Sequence, residues 1–194
     1  MNRIKMYKNL ALQYLASAFP FLVLTKRYLV AAKDAWMPPR QKYSQYGEDT
    51  YIDNLLAGIE QGIAIYIDVG ANQPSQISNT YLFYRKGFHG ILIEPNSELS
   101  RLCRRFRKKD AFISAGAAEK AGVGKFCIGE SSVTAGFSED GKAKRIDWVP
   151  LLPVDAIWKV VGKKMPVFLF SIDTEGFDLN VLLGATESFD IQPV

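Results

Sequence analysis

The sequence predicts an α/β fold, a mostly parallel β-sheet with flanking helices, entered at residue 43 behind a basic helical extension over residues 1–42. Three observations carry this expectation. The run Ile63-Ala64-Ile65-Tyr66-Ile67-Asp68-Val69-Gly70 is apolar and β-branched up to an acid and a glycine, as in a strand buried on both faces. Gly90-Ile91-Leu92-Ile93-Glu94 and Pro166-Val167-Phe168-Leu169-Phe170-Ser171-Ile172-Asp173 repeat the pattern, each closing on an acid. Between the runs lie stretches of helical period and glycine or proline stops, the spacing of βα units. With 194 residues, 48% of them hydrophobic and 12% aromatic, the chain suits one domain with a sizeable core.

The ends of those strands suggest chemistry. A glycine just past a buried strand lets the backbone turn sharply and puts no Cβ between main chain and ligand, so Gly70 can sit against a nucleoside. Gly70 stands alone in Gly70-Ala71-Asn72-Gln73-Pro74-Ser75, whereas a dinucleotide fingerprint needs three glycines. No phosphate-cradling G-x-x-x-x-G-K-[ST] run exists either. Glu94 can accept hydrogen bonds from two ribose hydroxyls. The expected cofactor is therefore a ribonucleoside without a pyrophosphate. Asp68, Gly70, Asn72 and Glu94 are its candidate ligands, because a buried strand seldom ends in an acid that lacks a polar partner.

Charge and cysteines narrow the setting. Through Lys42 there are eight Lys or Arg against Asp34 alone, and the remainder has sixteen basic and nineteen acidic residues. The net +4 thus belongs to the extension, and nucleic acid is not implied as a partner. Cys103 and Cys127 fit reduced, buried thiols of a cytoplasmic protein rather than a disulfide framework or a zinc site.

In chain order, Ile4, Tyr7, Leu10, Ala11, Tyr14, Leu15, Ala18 and Phe19 recur at helical spacing; Pro20 should break that helix, and a second runs from about Thr25 to Pro38-Pro39. The apolar run Leu10 to Leu24 invites a signal-peptide or anchor reading, but fifteen residues are too few to span a bilayer comfortably. Residues 1–37 either lie on an anionic membrane surface or pack on their own domain or a partner subunit. Tyr43 to Leu56 reads as a polar turn and a helix with Tyr51, Ile52, Leu55 and Leu56 as its apolar face, Glu48 and Asp49 complementing its dipole. Ser78 to Lys86 is a helix placing Tyr81, Leu82 and Phe83 on the sheet. A helix from Pro95-Asn96 buries Leu99, Leu102, Cys103 and Phe106, leaving Arg101, Arg104, Arg105, Arg107, Lys108 and Lys109 as its solvated face and C-terminal turn. Ala111 to Ala118 is a third strand, whose small end residues leave room for a flat ring. Lys125 to Gly129 and Trp148 to Leu152 are strands of an inserted β element; the Gly- and Ser-rich stretch Glu130 to Arg145 between them should contact substrate.

Four stretches in order, Tyr43-Ser44-Gln45-Tyr46-Gly47-Glu48-Asp49, Ile67-Asp68-Val69-Gly70-Ala71-Asn72, Ile93-Glu94-Pro95-Asn96 and Ser171-Ile172-Asp173-Thr174-Glu175-Gly176-Phe177-Asp178-Leu179, resemble the FkbM-type methyltransferases. That family belongs to the class I S-adenosylmethionine-dependent enzymes. The resemblance runs from about Tyr43 to the C-terminus and implies a Rossmann-like sheet, S-adenosyl-L-methionine as cofactor and a small-molecule or glycan hydroxyl as methyl acceptor. It places Asp68, Gly70, Ala71, Asn72, Glu94 and Pro95 around the donor, with Ala117 and Ala118 beside the adenine and Gln45, Glu48 and Asp49 close by. With one histidine in the chain, a carboxylate base is expected in Asp173 and Glu175; the alternative is that Asp173 holds the loop and Glu175 caps the next helix. No resident metal is expected, although Asp173, Glu175 and Asp178 together would suit magnesium. A seven-stranded family sheet against four or five strands here leads to the expectation that the C-terminal strands are missing. A non-catalytic nucleoside-binding scaffold and an NAD-linked oxidoreductase are the competing readings.

Overall fold

The computed structural model describes residues 20–129, 136–137, 143 and 145–189. Four parallel strands, β1 (Ile65–Val69), β2 (Gly90–Ile93), β3 (Ala111–Ile113) and β7 (Val167–Ile172), form the main sheet in the order β3-β2-β1-β7. The fold is the expected α/β one, with a Rossmann-like parallel sheet. The chain builds outward from β1 to β3 and then returns to β1's other side, so the order reverses between β1 and β7. Open α/β sheets hold ligands at such a reversal, beyond the carboxyl ends of the strands.

Side chains alternate across β1. Ile65, Ile67 and Val69 join Ile91 and Ile93 on one face, against Val154, Ile157, Trp158 and Val181. Tyr66 and Leu92 turn to the other, against Phe83 and Cys103, with Phe88, Phe112 and Phe168 packed alongside. The first face is covered by α5 (Val154–Val160) and α6 (Asp178–Leu183), with α7 (Thr186–Phe189) following. The second is covered by α3 (Tyr81–Arg85) and α4 (Ser97–Phe106).

A second sheet has β6 (Arg145–Leu152) in the middle, antiparallel to β5 (Gly122–Ile128) and parallel to β4 (Gly116–Ala117). The single strand expected over Ala111 to Ala118 is thus two strands in two sheets. Its small residues explain the switch, because a Cβ on Gly116 would lie 2.4 Å from the Phe137 ring and 2.8 Å from Leu151. The stretch Glu130 to Arg145 lies largely outside the described residues.

Helix α1 (Pro20–Trp36) is already helical ahead of Thr25, the start expected for it. It packs on its own domain. Tyr28 meets Phe106 of α4 edge-on at 5.1 Å, buried Asp34 accepts from Ser75 Oγ at 2.8 Å and pairs with Arg40, and Arg85 donates to the Asp34 and Met37 carbonyls. No helix of the described residues is long and apolar enough to cross a membrane. The helix expected before Pro20 lies outside the described residues.

Helix α2 (Glu48–Leu55) packs differently from expectation: Tyr51 and Leu55 are exposed, Ile52 and Leu56 pack beneath the sheet, and Asp49 is fully buried. The Asp49 carboxylate accepts from Tyr43 N at 2.6 Å and Ser44 Oγ at 2.6 Å, folding the preceding turn back onto the helix.

Arg107 corrects the reading of the basic cluster. Arg101, Arg104, Arg105, Lys108 and Lys109 are exposed, but Arg107 is only 2% exposed. Its Nε donates to Asp110 Oδ2 at 2.7 Å, and its Nη2 to Tyr66 OH at 2.9 Å and Thr80 Oγ1 at 3.0 Å. Tyr66 OH donates in turn to Asp110 Oδ1, and Thr80 to Asp68 Oδ2. The guanidinium also lies over the rings of Tyr66, Tyr81 and Tyr84 at 5.2–5.5 Å. A cation so buried is tolerable only because each donor has a partner. Arg107→Ala is expected to lower stability by about 3–5 kcal/mol, through the stranded charge of Asp110 and the lost packing, in urea unfolding. Arg107→Lys should recover little of it, since an ammonium cannot reproduce the planar fork. Loss of under about 1 kcal/mol in Arg107→Ala would contradict the cluster's role.

Candidate functional site

Where β1, β2 and β7 end, their loops enclose a cavity of about 600 Å³, open solvent at its mouth included. Val69, Gly70 and Asn72 come from the first strand end, Ile93, Glu94, Pro95 and Asn96 from the second, and Asp173, Thr174 and Glu175 from the last. Leu99 of α4 and Ala115, Gly116, Ala117, Phe126 and Phe137 of the β insert close it.

Glu94 organises this arrangement. Only 5% exposed, its carboxylate accepts from Asn72 N (Oε2, 2.8 Å) and Asn96 N (Oε1, 2.8 Å). One side chain thereby fixes both the turn after β1 and the entry to α4, where Asn96 Oδ1 caps the helix by accepting from Glu98 N at 3.0 Å. Burial pushes the Glu94 carboxyl up to about 7, and the negative charge of Asp68 adds to this; the two backbone donors and Arg27 of α1 oppose it.

Gly70 serves the turn in a way the sequence reading missed. Its φ is +78°, and a Cβ there would lie 2.0 Å from the Asp173 carbonyl oxygen, so the neighbouring strand end demands glycine whatever the ligand. Asp173 N in turn donates to the Val69 carbonyl at 3.0 Å, locking the two loops together. Asn72 also has a positive φ, 50°, and its Oδ1 is buried with no hydrogen-bond partner among the described residues. A buried acceptor without a donor costs free energy, and a ligand N–H or O–H would relieve it.

The other expected site residues divide. Pro95 and Ala117 line the cavity, as do Asp173 and Glu175. Asp68, Ala71 and Ala118 do not. Asp68 shares Tyr66's face of β1 and turns to Thr80, away from the cavity, its carboxyl raised by burial despite the nearby Arg107. Ala71 packs with Phe83 and Cys103 on that same face. The Ala118 backbone lies against Gly184, where a Cβ would approach its carbonyl oxygen to 2.1 Å. Gln45, Glu48 and Asp49 are not among the lining residues either.

The acidic loop after β7 is strained at Glu175, whose φ of 51° is unusual for a residue with a side chain. The Glu175 carboxyl is raised by partial burial and then by the negative charges of Asp173 and Asp178. Asp178 Oδ1 accepts from Thr174 N at 3.0 Å and from Thr174 Oγ1, which holds the loop to the start of α6. Among the described residues no group of three or more His, Cys, Asp or Glu side chains is placed to hold a metal, so the magnesium set of Asp173, Glu175 and Asp178 is not formed.

The sequence reading passed over Asn96, Leu99, Thr174 and Phe126, whereas Phe137 falls within the stretch Glu130 to Arg145 expected to contact substrate. For Phe137 a signal existed: it is an aromatic residue inside a Gly- and Ser-rich stretch. Both cysteines are free and buried, and burial pushes the Cys103 thiol up to about 12 while its Sγ donates to the Asn72 carbonyl at 3.5 Å.

A family model described as a methyltransferase FkbM domain matches residues 68–194, well over half of the chain. The match begins inside β1, leaving α1 and α2 outside it. No curated protein and no solved structure matches the chain.

The raised Glu94 carboxyl gives a pH test. The folded state holds the group neutral where the unfolded chain would ionise it, so its contribution to stability is full below pH 4.5 and is lost as pH rises through about 7. The total change is about 3 kcal/mol. Urea unfolding from pH 4.5 to 8 should show this decline in the wild type and a flatter profile in Glu94→Gln. Identical profiles would contradict it.

Proposed function

The chain belongs to the FkbM methyltransferase family, and from that premise we propose that it transfers a methyl group from S-adenosyl-L-methionine to a hydroxyl of a sugar, glycan or polyketide-like small molecule. One observation carries the choice of donor. Glu94, Asp173 and Glu175 all line the cavity, and among the described residues no Lys or Arg lines it. A dinucleotide's pyrophosphate would enter against that field; a ligand bearing a sulfonium and an ammonium would be drawn in.

The residues present fit such a donor. Each Glu94 oxygen has accepted one backbone hydrogen bond and keeps capacity for another, which suits the paired hydroxyls of a ribose. The orphaned Asn72 Oδ1 suits an N–H or O–H donor of the ligand. Ala115, Gly116 and Ala117 bring no bulky side chain of their own to the cavity.

When bound, the donor supplies an electrophilic methyl carbon for in-line displacement by the acceptor oxygen. The chain's task is then to align that oxygen, exclude water and take its proton. Asp173 and Glu175 are the groups assigned to the proton. Asp173 is anchored through its backbone to Val69, and the raised Glu175 carboxyl is a stronger base than a free glutamate.

Equilibrium dialysis with radiolabelled S-adenosylmethionine and, separately, NAD should show retention of the first alone. Glu94→Ala should weaken that retention at least about tenfold while circular dichroism keeps the folded signal, since it removes a charged acceptor worth roughly 1.5–3 kcal/mol. Asp173→Asn should leave donor binding within about threefold, an energy of under about 1 kcal/mol. Preferential NAD retention, or wild-type affinity in Glu94→Ala, would overturn the assignment.

A further inference from the structure

We propose that Phe137, carried by the β insert rather than by the parallel sheet, forms the aromatic wall of the nucleobase slot and sets selectivity for a flat heteroaromatic ring. The inference rests on the donor reading above and assigns to this chain a ligand-contacting residue outside the strand-end loops.

Phe126 and Phe137 are the two aromatic rings that line the cavity, and they differ in availability. Phe126 is buried by its neighbours, whereas Phe137 is half-buried and keeps ring surface free. Phe137 is nevertheless held in place. Gly136, the residue before it, exchanges two backbone hydrogen bonds with Cys127 at the end of β5, N to O at 2.9 Å and O to N at 2.8 Å. The ring then lies 5.2 Å from Phe126 at a steep angle and 4.7 Å from Phe177, just beyond the Asp173–Glu175 loop, at a shallower one.

Gly116 makes room for it. Any side chain at 116 would meet the Phe137 Cζ at 2.4 Å, so the ring occupies the space that a side chain on β4 would otherwise take. The cavity is thus lined by Glu94 and Pro95 from the end of β2 and by a restrained phenyl ring from the insert. A carboxylate for hydroxyls beside an aromatic wall for a ring is the pairing that a nucleoside presents. Base–aromatic contacts of this kind depend on a π face and tolerate another aromatic in its place.

The experiment measures S-adenosylhomocysteine binding by calorimetry to wild type, Phe137→Leu and Phe137→Trp, with thermal unfolding run alongside. Leucine keeps apolar bulk but removes the π face, so Phe137→Leu is expected to bind about tenfold more weakly, and Phe137→Trp within about threefold of wild type. In Phe137→Trp, added S-adenosylhomocysteine should quench tryptophan emission beyond any change in wild type, whose Trp36, Trp148 and Trp158 supply the background, and homocysteine alone should not. Quenching in that variant supports the wall even if Phe137→Leu does not fold. Wild-type affinity in Phe137→Leu, or no extra quenching in Phe137→Trp, would overturn this inference alone. Failure of the wild-type protein to bind S-adenosylhomocysteine would overturn it together with the donor reading.

Discussion

The site depends on one buried carboxylate that holds two loops at once. Glu94 accepts from Asn72 N and Asn96 N, so the turn leaving β1 and the start of α4 are tied through a single side chain. Burying a carboxylate is costly, and its two charge-assisted hydrogen bonds offset that cost only in part, which is why the group is pushed up to about 7. Glu94 lines the cavity, and each of its oxygens keeps acceptor capacity beyond its one backbone bond. Hydroxyl donors from a ligand would complete what the backbone begins, and binding and ionisation at this position are consequently linked.

The sheet's two faces divide the labour at the cavity's floor. Below β1, the face of Ile65, Ile67 and Val69 packs on hydrocarbon. On the other face Tyr66, Thr80, Asp68, Asp110 and Arg107 form a saturated polar cluster, which fixes α3 and the end of α4 against the strands. Gly70 then brings the β1 and β7 loops into backbone contact, a closeness that any Cβ would prevent. The acidic loop carrying Asp173 and Glu175 is thus referred to the same rigid strand as Glu94, and the β insert is referred to that loop through Phe137 and Phe177.

Much of this was legible in the sequence because buried strands and their terminal acids leave a local signature. The runs ending at Val69, Glu94 and Asp173 mark three strands of the parallel sheet. Most of the misreadings turn on partners that a local pattern does not show. Arg107 is the same residue type as its neighbours Arg101, Arg104 and Arg105, and Tyr66, 41 residues earlier, with Thr80 and Asp110, turns it inward. Asp68 was grouped with Glu94 as a strand-end acid, yet strand alternation places it on Tyr66's face, and that signal was available from counting by twos. Asp49 inside a nominally amphipathic helix, and Phe137 within a stretch of no period, carried no local pattern that fixed their positions. Their places follow from the folded turn at Ser44 and from the bridge at Cys127.

The central claim, that Glu94 is a buried, half-satisfied carboxylate waiting for hydroxyl donors, is tested most directly by carbon-13 NMR titration of glutamate side-chain carboxyls, assigned by comparison with Glu94→Gln. The expected result is one carboxyl titrating near 7 in the free protein and moving to lower pH when S-adenosylhomocysteine is added, because ligand hydroxyls favour the charged form. A Glu94 carboxyl that titrates near 4.5 in the free protein, or one that saturating ligand leaves unmoved, would contradict the account.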